Sequence, residues 1–431
     1  MSKDARVRGV LRTLVVAGLT AALAAGCGSS ATPPTSQDAA GGEVTLEFAQ
    51  WWEPELPAKA LRGLMDEFET ANPGIKVKLL SGPYDSTKEQ VAAGAAAGTM
   101  SDVVGLDGAW VSDFAKQGAI ADLSALMDEA KYDQTQLASQ VKIDDKTYMI
   151  PVVNFVYPMF TNDDLLKKAG IAKAPSTRSE FTAAAEAVSK LDKTTKGWIL
   201  PLSLEEPNGI QNDVMSWTWA SGGSMLANGK PALTNLEVKE TVEFVKNLWD
   251  KGMVAPGGLT MKEQDKVEEF TNGRVGMMID SLAHIKLIRD KNPDLKFSIS
   301  AIPAKDGYSG KRGIPYASWG IGVAENSKHK AEAFKLVQFL MAEQANAKLA
   351  SVANAFPGNT KAVPDFVKSD KVFKDAFDIY KGGYPANEFT GLPVAEQLMR
   401  DFDEQLQVML TGDQTVDEML QKSQEAWLGN F

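Results

Sequence analysis

Along most of the chain, short apolar runs alternate with loops and then with segments whose apolar residues recur at helical spacing. Val44, Leu46 and Phe48 alternate as a half-buried strand should, and Leu61, Leu64, Met65 and Phe68 then fall on one helical face. Ile75, Val77 and Leu79 predict a second strand, and Val103, Val104 and Leu106 a third. Further strands are expected at Tyr148 to Val153, Val156 to Thr161, Trp198 to Leu202, Val275 to Ile279, Phe297 to Ile302 and Ile321 to Ala324. Thr177 with Glu180, behind Pro175, and Thr415 with Glu418 have the spacing of capping boxes and mark helix starts. This repeated order predicts an α/β protein. About 390 residues follow the first 43, more than one hydrophobic core usually supports, so two lobes are expected. No Gly/Ser linker divides them, which implies that the chain crosses between lobes more than once.

The N-terminus breaks the pattern. Lys3, Arg6, Arg8 and Arg12 precede an apolar run from about Leu14 to Ala25, the layout of a secretory signal peptide and shorter than the roughly 20 residues a membrane span needs. The run ends in Leu23-Ala24-Ala25-Gly26-Cys27, which resembles the bacterial lipobox, although Ala24 stands where leucine is commoner. The resemblance implies a signal peptide over residues 1–26, lipidation at Cys27 and attachment to the outer face of the bacterial cytoplasmic membrane. Residues 27–43 contain no large apolar side chain and read as a flexible tether with a reach on the order of 20 Å.

Charge and composition narrow the functions. The formal charge is -11, and loss of the first 26 residues, with four basic groups and Asp4, moves it to about -14. No basic stripe interleaved with aromatics is present, so nucleic acid is not an expected partner. Cys27 is the only cysteine, which excludes a disulfide framework or a thiolate metal site. His284 and His329 have no ligand-spaced partners, so neither a metal nor a cofactor is expected. Gly-x-Ser-x-Gly, His-Glu-x-x-His and Gly-x4-Gly-Lys motifs are absent, and Glu205-Glu206 and Glu268-Glu269 are adjacent pairs, not the opposed carboxylates of a glycosidase.

Several stretches in order resemble the extracellular solute-binding proteins of bacterial ABC importers, in the sugar-binding group that includes maltose-binding protein. They are Phe48-Ala49-Gln50-Trp51-Trp52, Asp102-Val103-Val104 leading to Asp107-Gly108-Ala109-Trp110, and Lys116-Gln117-Gly118-Ala119-Ile120-Ala121-Asp122-Leu123. Phe160-Thr161-Asn162-Asp163-Asp164-Leu165, Phe270-Thr271-Asn272-Gly273-Arg274-Val275-Gly276 and Trp319-Gly320-Ile321-Gly322-Val323 continue the series. Arg178 departs from it, standing where relatives often carry an aromatic, on what is expected to be a surface helix. The resemblance implies a two-lobe, class II periplasmic-binding-protein-like fold. Each lobe is a doubly wound sheet flanked by helices, and the lobes are joined by hinge crossings. On that model residues 44–153 with 316–354 make one lobe, and 154–315 with 355–431 the other.

The same resemblance implies a monomeric, non-catalytic receptor that delivers a carbohydrate, expected to be an oligosaccharide, to ABC permease subunits. Ligands of open α/β sheets sit beyond the carboxyl ends of strands, which selects the candidate contacts. Trp51, Trp52 and Glu53 follow the first strand, where adjacent residues face opposite ways and one indole can belong to the core. Asp107 is either a ligand carboxylate or a cap, and Asn154 and Tyr157 lie in the first crossing. Trp217 and Trp219, two apart on a helix, should divide between core and cleft. Asp280, Trp319 and, in an aromatic loop, Glu388 complete the set. Indole faces suit the C–H face of a pyranose, and carboxylates suit its hydroxyls. A glycerol phosphate is disfavoured by the six arginines that follow the signal segment, whereas a quaternary amine in an aromatic cage would use the same tryptophans.

Overall fold

Alternation at Val44, Leu46 and Phe48 buries Leu46 and Phe48 completely in strand β1 (Val44–Gln50). In the computed structural model, which describes residues 43–431, β1 pairs in parallel with β2 (Ile75–Ser81) and β3 (Val103–Leu106). The expected signal segment, Cys27 and nearly all of the tether lie outside the described residues. The helix Ala60–Ala71 connects β1 to β2 and buries Leu61, Leu64, Met65 and Phe68. Each such side chain contributes about 1.5–3 kcal/mol by leaving water.

The chain then forms β4 (Val141–Ile143), β5 (Lys146–Val156), β6 (Met159–Asn162) and β7 (Lys196–Trp198). A hairpin of β8 (Leu226–Ala227) and β9 (Lys230–Pro231) precedes β10 (Val275–Ile279), β11 (Phe297–Ser300) and β12 (Gly313–Ile314). β13 (Tyr316–Val323), β14 (Phe356–Pro357) and β15 (Tyr384–Pro385) complete the strands among the described residues.

The fold has two lobes, each with a sheet flanked by helices. One sheet runs β14-β5-β13-β3-β1-β2, with β4 on β5; the other runs β11-β6-β10-β7. Both are mixed: β13 is antiparallel to β3 and β5, and β10 is antiparallel to β6 but parallel to β7. In the second sheet Met159 and Met277 pack into one core and Phe160 and Met278 into another. Both faces are covered, so these strands read as unbroken apolar runs.

Between β5 and β6 lie only Tyr157 and Pro158, so the chain leaves one sheet and enters the other almost without a loop. It returns at β13 and leaves again after β14. The apolar run Val156 to Thr161 is therefore not one strand. Pro158 has no N–H for a ladder, and Val156 pairs with Tyr316 at the end of β5. The run Trp198 to Leu202 also narrows: only Trp198 belongs to a strand, and Pro201 interrupts the rest of the run. Arg178 is a further correction. It is buried at the start of the helix Arg178–Ser189, where its guanidinium donates to the Trp217 carbonyl at 2.8 Å and to Thr241 Oγ1 at 3.0 Å.

Candidate functional site

A cavity of about 310 Å³ lies between the two sheets. From the first lobe it is walled by Trp51, Glu55, Tyr84, Asp107, Phe155 and the β13 residues Ala317, Ser318 and Trp319; from the second by Tyr157, Asn208, Gln211, Asn212, Glu263, Ser281, His284, Glu396 and Met399. Among the described residues neither arginine nor lysine lines it.

The end of β1 divides two adjacent indoles. Trp51 faces the cavity and packs on Tyr84 and Trp110, both at 5.3 Å between ring centroids. Trp52 turns into the core and stacks on Trp319 at 5.5 Å with an interplanar angle of 7°. Trp319 therefore lines the cavity with Trp52 and the edge-on Phe155 as its backing. The β5–β13 register shifts between Trp319 and Gly320, a local irregularity in the middle of β13 that re-aims the side chains there. Glu53 points toward β2 instead: its carboxylate accepts from Ser81 Oγ, and its backbone N–H donates to Gln50 Oε1 at 2.9 Å.

Asp107 lies on the cavity wall and closes the turn ahead of the helix Val111–Lys116, whose N-cap is Trp110 rather than Asp107. Its Oδ1 accepts from the Ala109 N–H at 2.8 Å, and its side chain reaches the cavity. Burial pushes its carboxyl up in pKa, against the Ala109 bond. Tyr157 also lines the cavity, hydrogen-bonded to Ser281; burial and the fields of Glu263 and Asp280 raise its phenol well above the usual range. Asn154 does not reach the wall. It alternates with Phe155 along β5 and is buried on the other face, its side-chain amide without a hydrogen-bond partner among the described residues.

Both Trp217 and Trp219 are buried away from the cavity, which corrects the expected division between them. Trp217 packs among Phe181, Trp198 and Phe244. Trp219 is covered by the loop that carries Glu388, whose carboxylate accepts from Trp219 Nε1 at 2.7 Å, from the Met225 N–H at 2.8 Å and from Ser224 Oγ. Glu388 is thus a loop tie rather than a cavity residue.

Asp280 is fully buried one layer behind the wall, where its Oδ2 meets His284 Nδ1 at 3.0 Å. Burial opposes a charge on His284, but the field and hydrogen bond of Asp280 outweigh it, with Glu263 adding, and lift the imidazole to about 9. Behind them Lys266, also fully buried, donates to Asp213 Oδ2 at 3.1 Å and to the Ile279 carbonyl at 2.7 Å, and stands 3.6 Å from Asp280. Burial works against its charge too, yet Asp213, Asp280 and Glu263 overcome this and raise its pKa. Glu263, Asp280 and His284 have ligand atoms within 4.8 Å of one another, a grouping that could face a cation. Lys266 already supplies positive charge there. At the rim Glu55 is open to water on one side, while desolvation by the surrounding protein, partly offset by the His284 charge, holds its carboxyl at about 7.

Sequence reasoning missed Glu55, Tyr84, Gln211, Asn212, Glu263, His284 and Glu396. The consecutive polar residues Gln211-Asn212-Asp213, inside an otherwise apolar helical stretch, were the one available signal. They occupy a π-helical turn, Ile210–Met215, a geometry frequent at functional sites.

The description "Bacterial extracellular solute-binding protein" matches the chain over residues 53–347, more than half its length. The chain belongs to this family. A binding protein of Brucella abortus is 29% identical to this solute-binding protein over 324 residues, covering 74% of the chain and 76% of the relative. The galactooligosaccharide-binding protein of Bacillus subtilis is 21% identical over 97% of the chain and 96% of its own length. Among solved structures, the cyclic alpha-maltosyl-1,6-maltose binding protein from Arthrobacter globiformis superposes with a TM-score of 0.78 at 18% identity, covering 90% of this chain and 99% of that one. This likeness shows the two-lobe fold of the solute-binding protein.

Proposed function

We propose that this solute-binding protein captures a carbohydrate in the inter-sheet cavity and delivers it, lobes closed, to the permease of an ABC importer. The observation that carries the reading is the wall itself: the indoles of Trp51 and Trp319 with the carboxylates of Glu55, Asp107 and Glu263, and no lysine or arginine. Ring faces receive the C–H side of a pyranose, and the carboxylates, Gln211 and Asn212 bind its hydroxyls. Similarity to proteins named for galactooligosaccharide and cyclic maltosyl-maltose supports an oligosaccharide. A phosphate group would meet the carboxylates of Glu55, Asp107, Glu263 and Glu396, with the basic His284 already paired to Asp280, which disfavours a glycerol phosphate.

In this reading the protein works without a cofactor, metal or turnover, as a monomer held outside the cell by lipidation of Cys27. The lobes are residues 44–153 with 316–354 and 154–315 with 355–431, with each crossing out of the first sheet falling about three residues later, at the ends of β5 and β14. A thermal-shift screen of mono- and oligosaccharides, a glycerophosphodiester and betaine tests the ligand class, because a ligand of the folded state stabilises by RT ln(1 + [L]/Kd). Stabilisation by an oligosaccharide, recovered unhydrolysed, is expected; stabilisation only by betaine or the phosphodiester overturns the reading.

A further inference from the structure

The cavity between the sheets has acceptors to spare. On its His284 side the carboxyls of Glu55, Asp213, Glu263 and Asp280 share the two bases Lys266 and His284. Both bases are already engaged: Lys266 donates to Asp213 and to the Ile279 carbonyl, and the His284 ring lies 3.0 Å from Asp280 Oδ2. Glu55 and Glu263 are left over, one from each lobe and both on the wall. Glu263 Oε1 is buried without a hydrogen-bond partner among the described residues, and so is Oδ1 of Asn212, a wall residue only 2% exposed. Protein interiors seldom leave such acceptors orphaned. The rise of the Glu55 carboxyl to about 7 has the same origin, desolvation with only the His284 charge to offset it. The rings of Trp51, Phe155, Tyr157 and Trp319 complete the same wall.

We infer that the carbohydrate captured here carries a primary ammonium group, as a glucosamine or galactosamine unit does, and that Glu55 and Glu263 receive it, one from each lobe. An ammonium brings three N–H donors and no acceptor, and it supplies the further base that this group of carboxyls lacks. Hydrogen bonds to ionised groups are about twice as strong as neutral ones, and the indole faces add cation–π attraction. A quaternary amine has no N–H, so it would leave Glu263 and Asn212 unpartnered. A metal ion would need Asp280, but one of its oxygens holds the His284 ring and Lys266 stands 3.6 Å from the other. The ammonium site rests on the carbohydrate reading of the cavity and adds to it a charge on the guest.

Calorimetric titration with matched sugars tests it: the mono- to trisaccharides of glucosamine, N-acetylglucosamine and glucose, and galactosamine beside galactose. Where a neutral form binds, the free-amine form should bind on the order of tenfold more tightly, an advantage that acetylation of the nitrogen removes. Binding of the amine alone supports the site equally. Glu263→Gln keeps the shape and removes the charge, and should cut the ratio of amine to neutral affinity by a similar factor. Glu55→Gln, at the exposed rim, is the second variant should the first misfold. An amine that binds no better than its neutral counterpart, or a preference that survives both substitutions, would overturn the ammonium site and leave the carbohydrate reading standing. Failure of every sugar, charged and neutral, to bind would instead overturn the carbohydrate reading, and the ammonium site with it.

Discussion

Trp319 and Trp217 are both nearly inaccessible, at 4% and 0% exposure, but only Trp319 borders the cavity. Trp319→Ala should weaken sugar binding by about 1–3 kcal/mol, as loss of a central aromatic contact does. Trp217→Ala should cost stability instead, about 3–5 kcal/mol for a cored-out aromatic. Titration calorimetry and urea unfolding separate the two, and equal effects on binding would contradict the assignment. His284 gives a pH prediction. Its folded pKa of about 9 exceeds the ordinary 6.5, so its stabilisation is complete below about pH 6.5 and is lost as pH rises through 9. The side chain is 26% exposed, which tempers the size of the effect. His284→Gln should flatten the fall in stability between pH 6.5 and 9, measured by denaturant midpoints; an unchanged slope would contradict the Asp280 pairing. At this scale the sequence was only partly legible. Strand-end position located Trp51 and Asp107, and nearness to the crossings located Tyr157 and Trp319, but no local pattern reveals that Glu388 ties down a loop. His284 has no sequence pattern that marks it as charged, because its pairing depends on a turn that brings it over Asp280.

Among elements, the helix Glu263–Thr271 carries a lysine at zero exposure, an arrangement tolerated only because Asp213 and Asp280 meet it from two other segments. Removing one partner of a buried ion pair leaves uncompensated charge, so Lys266→Met should destabilise by about 3–5 kcal/mol at neutral pH. Chemical denaturation would show it, and a neutral effect would mean that the carboxylates are already protonated in the fold. Helices and alternating strands were the most legible features, because their periodicity is a property of neighbours in sequence. At Thr415 the expected reciprocal box forms with Glu418; at Thr177 the Glu180 carboxylate turns to Ser176 instead, so only half of it forms. The short ladders were invisible: β12 pairs with β15 through Gly313 and Ile314 against Tyr384 and Pro385, partners set by tertiary placement.

Over the whole molecule, the two lobes touch through the Gly391 N–H on the Gly108 carbonyl at 3.0 Å and through Lys88 and Glu396. Gly108 allows that approach, since a Cβ there would meet Thr390 at 2.7 Å. Closure around a ligand is a shift of population, and inverting a 99:1 preference requires about 5.5 kcal/mol of differential affinity. Small-angle scattering should therefore record a smaller radius of gyration on adding a bound oligosaccharide; an unchanged radius would contradict hinge closure. Division into two lobes was legible in the chain length, and repeated crossing in the lack of a linker. Which loops meet across the gap was not, because that depends on how β5 and β13 carry the chain between sheets. The most direct test of the central claim is a crystal structure with a stabilising oligosaccharide. A pyranose ring against Trp51 or Trp319, with hydroxyls on Glu55, Asp107 or Glu263, is predicted; a ligand bound outside the gap between the sheets would contradict the account.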